Sequence, residues 1–354
     1  MKNRALIGMS GGVDSSVAAY LTQQAGYECV GATMRLFDNP DSSCCSIDNV
    51  EDARSVAFRL GMRFHVFNFT EDFRTHVMDH FANSYETGLT PNPCIECNRH
   101  LKFSRFLERA IVLGCDHIVT GHYARIRQEE ANGRFLLCKA LDDAKDQSYF
   151  LYCITQEQLA HTLFPLGALT KAQVRQIAEE QGFINAKKHD SQDICFVPDG
   201  DYMAFLRQFT GKTYLPGDYL DLAGNVVGQH RGAVGYTLGQ RKGLRIAMGQ
   251  PVYVCAKDMA ANTVTLGPNE ALFHTSLKAN DWNWFPFPAL TEPMRVTAKA
   301  RSRMTEQPAT VYPESGGFAR VEFDEPQRAI TPGQAVVLYD GDVVVGGGTI
   351  TEVL

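Results

Sequence analysis

The feature that most constrains the fold is a glycine-rich string near the N-terminus, S-G-G-V-D-S-S over residues 10–16. The short apolar run Ala5–Met9 predicts a strand before it, and the pattern of Val13–Ala25, which stops at Gly26, predicts a helix after it. Similar strand-like and helix-like runs alternate as far as a predicted strand at His117–Thr120. Strands that alternate with helices indicate a parallel, doubly wound α/β sheet.

The pattern changes after about Gly200, where glycine and proline become frequent and short strand-like runs follow one another closely. Asp340 and Gly341 form a hairpin-turn signal between two of these runs. A chain of 354 residues is too long for one typical domain. We therefore predict an N-terminal α/β domain over residues 1–200, a small central domain over 201–275 and a C-terminal β-barrel or sandwich over 276–354.

The string at residues 10–16 has the properties of a phosphate-binding loop. Small residues let the backbone approach a phosphate closely, and the N-terminus of the following helix supplies free N–H groups and a positive dipole. Asp14 would repel a phosphate unless it binds Mg²⁺. The spacing and lysine of a Walker A loop are absent from this string. The alternative is a plain glycine turn with a serine cap, which is common in doubly wound folds.

Two cysteines stand close together in T-P-N-P-C-I-E-C-N, residues 90–98. We predict a helix from about Asn98, so that Cys97 lies next to its start, where the helix dipole lowers a thiol pKa. Cys94 and Cys97 form a C-x-x-C pair, which is found in redox sites and as half of a zinc site. The only candidate complement for a zinc site is Cys44-Cys45.

Ten cysteines are many for a chain in a reducing compartment, where clustered cysteines favour metal binding or thiol chemistry over disulfides. Cys195 lies between Ile194 and Phe196, and by this context alone it is a buried core cysteine. Five others are predicted to be core residues: Cys29, Cys115, Cys138, Cys153 and Cys255.

The N-terminal segment and the hydropathy pattern predict neither a targeting segment nor a membrane span, so we expect a cytoplasmic protein that does not associate with membranes. The formal net charge of −6 argues against a broadly basic surface, but local basic patches can still bind RNA. Three basic sets favour a groove that follows phosphates: Lys102, Arg105 and Arg109 on one helical face; Lys299, Arg301 and Arg303 alternating along a strand; and Arg241, Lys242 and Arg245 in a loop.

Five strings occur together in this order: S-G-G-V-D-S-S, T-P-N-P-x-x-x-C-N, T-G-H-Y-A, K-D-Q-S-Y-F-L and D-S-Q-D-I-C-F. With them the chain resembles, over essentially its whole length, the bacterial tRNA-specific 2-thiouridylases of the PP-loop ATP pyrophosphatase superfamily. The resemblance implies ATP-dependent transfer of a persulfide sulfur to C2 of the wobble uridine, position 34, of tRNAs for Lys, Glu and Gln. It also implies ATP and Mg²⁺ as cofactors, a persulfide sulfur donor protein as partner, and a PP-loop domain, a central domain and a β-barrel as fold.

The resemblance also implies roles for individual residues. Cys195 would carry the persulfide and Cys97 would be its catalytic partner. The implied ATP-binding residues are Gly8, Met9, Ser10, Gly11, Gly12, Val13, Asp14, Ser15, Met34 and Gly121. The implied tRNA contacts are His122, Lys145, Asp146, Gln147, Arg301, Ser302 and Gln334, and the target base would lie at Asn92, Pro93 and Cys94.

One position departs from the family pattern, because many relatives have aspartate where this chain has Cys94. The acid or base of the reaction is then unassigned, with His122 as a candidate. Cys94, Cys97 and Cys195 could instead hold a [4Fe–4S] cluster with one open iron site, which gives an iron–sulfur version of the same thiolation.

Two further functions compete with thiolation. The chain could be another PP-loop adenylating enzyme, such as an amide-forming ligase. It could also be a catalytically silent RNA-binding protein. The intact phosphate loop and both cysteines argue against the silent protein.

Overall fold

The structure is a computed structural model, and it describes residues 3–37, 47–188, 194–197 and 200–354. The described helices are α1 (Val13–Gln24), α2 (Ile47–Arg59), α3 (Thr70–Phe73), α4 (His80–Glu86), α5 (Pro93–Glu96), α6 (Phe106–Val112), α7 (Ser148–Leu151), α8 (Gln156–Ala160), α9 (Lys171–Glu180) and α10 (Tyr202–Thr210). Two π-helical segments, Arg74–Asp79 and Cys97–Arg105, join α3 to α4 and α5 to α6. Cys44 and Cys45 lie outside the described residues, as do residues 190–193 of the D-S-Q-D-I-C-F string.

The described strands are β1 (Arg4–Gly8), β2 (Glu28–Arg35), β3 (Arg63–Asn68), β4 (His117–Val119), β5 (Arg125–Gln128), β6 (Phe135–Cys138), β7 (Thr162–Leu163), β8 (Gly217–Leu220), β9 (Val226–His230), β10 (Tyr253–Asp258), β11 (Thr263–Gly267), β12 (Phe273–Trp284), β13 (Met294–Lys299), β14 (Gln307–Pro313), β15 (Ala319–Arg328), β16 (Ala335–Asp340) and β17 (Val343–Val353). They form three sheets.

The first sheet is parallel and has the strand order β3-β2-β1-β4-β7. Its central strand β1 is buried on both faces, because Leu6 packs into one apolar cluster while Ala5 and Ile7 pack into another on the opposite side. The chain leaves β1 toward β2 on one side and later returns as β4 on the other. The strand order therefore reverses between β1 and β4, which is where doubly wound sheets bind ligands.

The second sheet is small and has the order β10-β11-β8-β9. Its core contains Tyr219, Val254 and Val264, none of which is exposed, and the Tyr219 hydroxyl donates to the carbonyl of Leu244. This unit follows α10, which begins after the capping side chain of Asp201.

The third sheet closes into a six-stranded barrel, because β12 pairs with both β15 and β17. The hairpin β5–β6 of the first unit extends this sheet at β17, where Cys138 pairs with Val343. Beside it, Lys139 forms an ion pair of 2.7 Å with Glu306. The predicted fold class, a parallel α/β sheet followed by a small domain and a barrel, is confirmed.

No helix within the described ranges is long and apolar enough to cross a membrane.

Candidate active site

The glycine-rich string forms a compact turn between β1 and α1. The Ser10 amide donates to Ser15 Oγ at 3.2 Å, and Ser15 Oγ donates to the carbonyl of Gly12 at 3.0 Å. Gly11 has a φ of +76°, and a Cβ there would lie 2.3 Å from the carbonyl oxygen of Asn49, so only glycine fits. From behind, the buried side chain of Asn185 donates to the carbonyl of Gly11 at 3.0 Å. The loop is thus fixed in shape before any ligand arrives.

Three positions implied to bind ATP lie together at the carboxyl edge of the sheet. Gly8 ends β1, Met34 lies near the end of β2 and Gly121 follows β4. Gly121 packs directly against the first turn of α1, because a Cβ there would lie 2.7 Å from the Ser15 amide nitrogen. The arrangement matches a nucleotide site at the point where the strand order reverses.

Asp14 is engaged by protein groups. Its two carboxylate oxygens accept from the Lys171 ammonium at 2.7 and 2.8 Å, and one of them also accepts from the Tyr123 hydroxyl at 2.8 Å. Among the described residues, no group of three His, Cys, Asp or Glu is placed to hold a metal ion. That Asp14 binds Mg²⁺ together with ATP stays a prediction, because a single carboxylate that shares the ion with a nucleotide needs no such group. Asp14 is the counter-ion of Lys171.

Sequence reasoning missed Lys171, although a signal was present. Thr170 and Gln173 form a reciprocal capping box that begins α9 at Lys171. A lysine in the first turn of a helix opposes the helix dipole, so it needs a nearby anion. Asp14 is that anion, 157 residues away in the chain.

The T-P-N-P loop leads into a helix earlier than predicted. Asn92 is the N-cap and accepts from the Cys94 amide at 3.2 Å, and Pro93 is the first helical residue. The prediction that Cys97 lies beside the helix start is therefore wrong, because an asparagine cap followed by proline at the first position starts the helix five residues before Asn98. Cys94, which is exposed, is the cysteine that lies in the first turn.

The barrel supports this loop from the other side. The Thr90 amide donates to the carbonyl of Pro332 at 3.0 Å, and the Gln334 side chain donates to the carbonyl of Thr90 at 2.8 Å. A cavity of about 290 Å³ lies between the helix and the barrel beside Asn92 and is also lined by Glu96. Burial acts to raise the pKa of Glu96, but a hydrogen bond from His100 and nearby cations outweigh it, so that this pKa is lowered and the carboxylate stays ionised.

Cys97 and Cys195 share one apolar cluster. Cys97 is 7% exposed and belongs to the cluster, and the half-buried Cys195 packs against it. Phe196 anchors the Cys195 segment, because its ring lies 5.7 Å from Phe73 and 5.2 Å from Phe81 on the helix that packs against the Cys97 helix. Both implied catalytic cysteines therefore contact the same large apolar cluster, and the Cys195 segment packs on the helix that neighbours the Cys97 helix.

The iron–sulfur alternative has no support from this geometry. Cys94, Cys97 and Cys195 are all described residues, and they are not among three residues placed to hold a metal. The predicted core cysteines behave as inert thiols. Burial raises the pKa of Cys29 to about 11 and that of Cys153 to about 12, and it also raises the pKa of Cys115, Cys138 and the half-buried Cys255.

His122 packs its ring between those of Phe103 and Phe164, at 5.7 and 6.1 Å, and shares a hydrogen bond of 2.7 Å with the Thr120 hydroxyl. Burial of the imidazole, assisted by the charge of Lys102, holds the pKa of His122 well below its ordinary value of 6.5. The ring is therefore neutral at physiological pH. Phe103 is on the helix of Cys97, which places His122 close to that helix.

Other residues implied to bind tRNA, among them Asp146 and Arg301, also have protein partners. Asp146 accepts from the Ala140 amide and the Ser148 hydroxyl, so its carboxylate shapes its own loop. Arg301 and Ser302 follow the end of β13 at Lys299, so the predicted alternation of Lys299, Arg301 and Arg303 along one strand is wrong. Arg301 donates to the carbonyl of Leu238 at 3.0 Å and so links the barrel to the central unit.

Comparison with known proteins covers the whole chain. Residues 3–199 match a family model described as the tRNA methyl transferase HUP domain, residues 203–268 the tRNA methyl transferase PRC-barrel domain, and residues 274–350 the aminomethyltransferase beta-barrel domain.

Three curated relatives carry the name tRNA-specific 2-thiouridylase MnmA. The protein of Clostridioides difficile is 49% identical over 359 residues, which is 100% of this chain and 99% of the relative. That of Symbiobacterium thermophilum is 51% identical over 99% of this chain and 93% of the relative, and that of Moorella thermoacetica is 51% identical over 98% and 99%. The family models are described by methyl transfer, whereas the relatives that align over the full length are named for thiolation.

Proposed function

The chain belongs to the tRNA-specific 2-thiouridylase family, and from this premise we propose that it replaces the C2 oxygen of uridine 34 in tRNA by sulfur, with ATP as activator and Cys97 and Cys195 as the sulfur-handling pair. The observation that carries the proposal is the preformed phosphate loop at the reversal point of the parallel sheet. The contact of both cysteines with one large apolar cluster supports their role as a pair.

The first step would activate the uridine. A uracil C2 carbonyl is a poor electrophile and its oxygen is a poor leaving group. Attack of this oxygen on the α-phosphate of ATP releases pyrophosphate and makes the oxygen part of AMP, which leaves readily. The free N–H groups at the N-terminus of α1 would stabilise the departing pyrophosphate. Mg²⁺ would be held by the phosphates of ATP together with the Asp14 carboxylate, and it would offset the charge of the departing pyrophosphate.

The second step would deliver sulfur from a persulfide on Cys195. The terminal sulfur attacks C2 and AMP leaves, after which the Cys97 thiolate attacks Cys195 Sγ and releases 2-thiouridine. Alternatively, Cys97 first displaces hydrosulfide, which then attacks C2. Both routes join Cys97 to Cys195 in a disulfide, which a thiol reductant must return to two thiols with two electrons.

The target base would enter beside Asn92, Pro93 and Cys94. The cavity there is about as large as the smaller ligand pockets of proteins, and the loop that forms it is held by the barrel. The resemblance implies an aspartate at the position of Cys94, and we propose His122 as the acid or base of the reaction in its place.

We further propose that the domains divide near residues 200 and 275, that the tRNA substrates are the isoacceptors for Lys, Glu and Gln, and that a persulfide-bearing protein supplies the sulfur in the cytoplasm. His122, Lys145–Gln147, Arg301–Ser302 and Gln334 would contact the tRNA, and Gly8–Ser15, Met34 and Gly121 the ATP.

The test uses the purified chain with ATP, a persulfide donor, a reductant and unmodified tRNA transcripts. Nucleoside mass spectrometry should show one 2-thiouridine per tRNA, together with equal amounts of AMP and pyrophosphate. A transcript with cytidine at position 34 is the control and should give neither product. Release of ADP and phosphate, or thiolation of the cytidine-34 transcript elsewhere, would refute the proposal.

A further inference from the structure

Asp14 of the phosphate loop is connected to the K-D-Q loop, residues 145–147, by a short chain of hydrogen bonds. Tyr123, only 2% exposed, donates its hydroxyl to Asp14 at 2.8 Å. The backbone of the same tyrosine exchanges two hydrogen bonds with Gln147, since its amide donates to Gln147 Oε1 and its carbonyl accepts from the Gln147 amide, both at 2.9 Å. One residue therefore joins the loop implied to bind tRNA to the loop implied to bind ATP.

A second connection runs through the other partner of Asp14. The Lys171 ammonium forms the ion pair with Asp14, and the Lys171 amide donates to Asp142 Oδ2 at 2.9 Å. Asp142 folds the start of the K-D-Q loop, because its carbonyl accepts from the Lys145 amide at 2.9 Å and its other carboxylate oxygen from the Ala144 amide at 3.2 Å. Both groups that hold Asp14 are thus tied to the same loop, one at each end.

These contacts lie in a closely packed region, where moving one side chain displaces the groups bonded to it. Tyr123 is buried, and the Lys171 side chain is 11% exposed, so neither can move without its partners. Asp14 is in the first turn of α1, whose N–H groups face the phosphate site. A change in the K-D-Q loop on contact with an RNA backbone would therefore alter the hydrogen bonds at the first turn of α1.

We propose that Tyr123 and Lys171 are positioning residues that couple tRNA binding at the K-D-Q loop to ATP binding at the phosphate loop through Asp14. The inference rests on the proposed function and adds a means of control: ATP is bound in its reactive arrangement only when tRNA is in place. By linkage, ATP then raises the affinity for tRNA by the same factor by which tRNA raises the affinity for ATP.

The experiment measures that factor in the full-length chain. The dissociation constant of an unmodified tRNA transcript is measured with and without saturating α,β-methylene-ATP, which cannot be cleaved between the α- and β-phosphates. The ratio of the two constants is the readout, because a general loss of binding cancels in it. We expect a ratio of about fivefold or more in the wild type and below about twofold in Tyr123→Phe.

The matched control is Tyr20→Phe, which removes a tyrosine hydroxyl from α1 outside this chain of hydrogen bonds and should keep the wild-type ratio. Lys171→Gln tests the second connection and replaces Tyr123→Phe if that variant is too unstable to titrate. A wild-type ratio near one, or an unchanged ratio in both variants, overturns the coupling. The proposed function is judged separately, by whether the wild type forms 2-thiouridine.

Discussion

Gly121→Ala tests whether the end of β4 must approach the phosphate loop as closely as the structure shows. A Cβ at position 121 would lie 2.7 Å from the Ser15 amide nitrogen and 2.8 Å from the Asp14 carbonyl carbon. Both are backbone atoms, so the overlap of about 0.7 Å relative to ordinary van der Waals contact cannot be relieved by turning a side chain. The first turn of α1 must move.

The size of the effect follows from that displacement. Overpacking of this kind typically costs about 1–3 kcal/mol. Because it falls on Asp14 and Ser15, we expect it to appear both in the free energy of unfolding and in ATP binding, where about 1.4 kcal/mol corresponds to tenfold. Gly121→Ala should therefore weaken ATP binding by about ten- to a hundredfold.

Gly8→Ala is the matched control, because the ATP site is implied to include this glycine as well. A Cβ at Gly8 would meet nothing closer than 3.5 Å, and it would point at Phe106 and the Val119 carbonyl, so the exchange should be tolerated. Isothermal titration with ATP and urea denaturation would measure both variants. If Gly121→Ala binds ATP like the wild type and unfolds within about 0.5 kcal/mol of it, the close approach is not real.

Three further outcomes are expected. Cys195→Ser should lack the protein-bound persulfide by intact mass, and Cys97→Ser should carry it without forming 2-thiouridine; full thiolation by either would refute the paired mechanism. Arg301→Ala should weaken tRNA binding and reduce the salt dependence of that binding. It should also lower the free energy of unfolding by about 1–3 kcal/mol, because the carbonyl of Leu238 loses its hydrogen-bond donor. Unchanged affinity and an unchanged salt slope would mean that Arg301 does not contact tRNA. Desolvation lowers the pKa of His122 in the folded chain, so the unfolded chain takes up the proton first and stability falls as the pH drops below 6.5, by up to about 1.4 kcal/mol per pH unit. His122→Gln should flatten this slope in urea titrations between pH 6.5 and 5, and an equal slope would mean that the pKa of His122 is not lowered in the folded chain.

The first strands and the place of the phosphate loop could be predicted because they depend on local patterns. These are apolar runs of strand length, and glycines where a left-handed backbone or close contact is needed. The start of the Cys97 helix is also encoded locally, by Asn92 and Pro93, although the predicted start lay further along the chain. The Asp14–Lys171 pair could not be predicted, because its two members meet only when α1 and α9 pack side by side. Closure of the barrel likewise could not be predicted from the strand pattern, because it depends on the pairing of β12 with both β15 and β17.

The hydrogen bonds that join the T-P-N-P loop to the barrel have a consequence for how the chain is made. Thr90 and Gln334, which share one of these hydrogen bonds, are 244 residues apart. A growing chain emerges from the ribosome N-terminus first, so the sheet and phosphate loop can form while the loop above Cys97 still lacks its support. Fragments released before Pro332 and Gln334 are made would contain the phosphate loop but would lack the hydrogen bonds that hold the T-P-N-P loop.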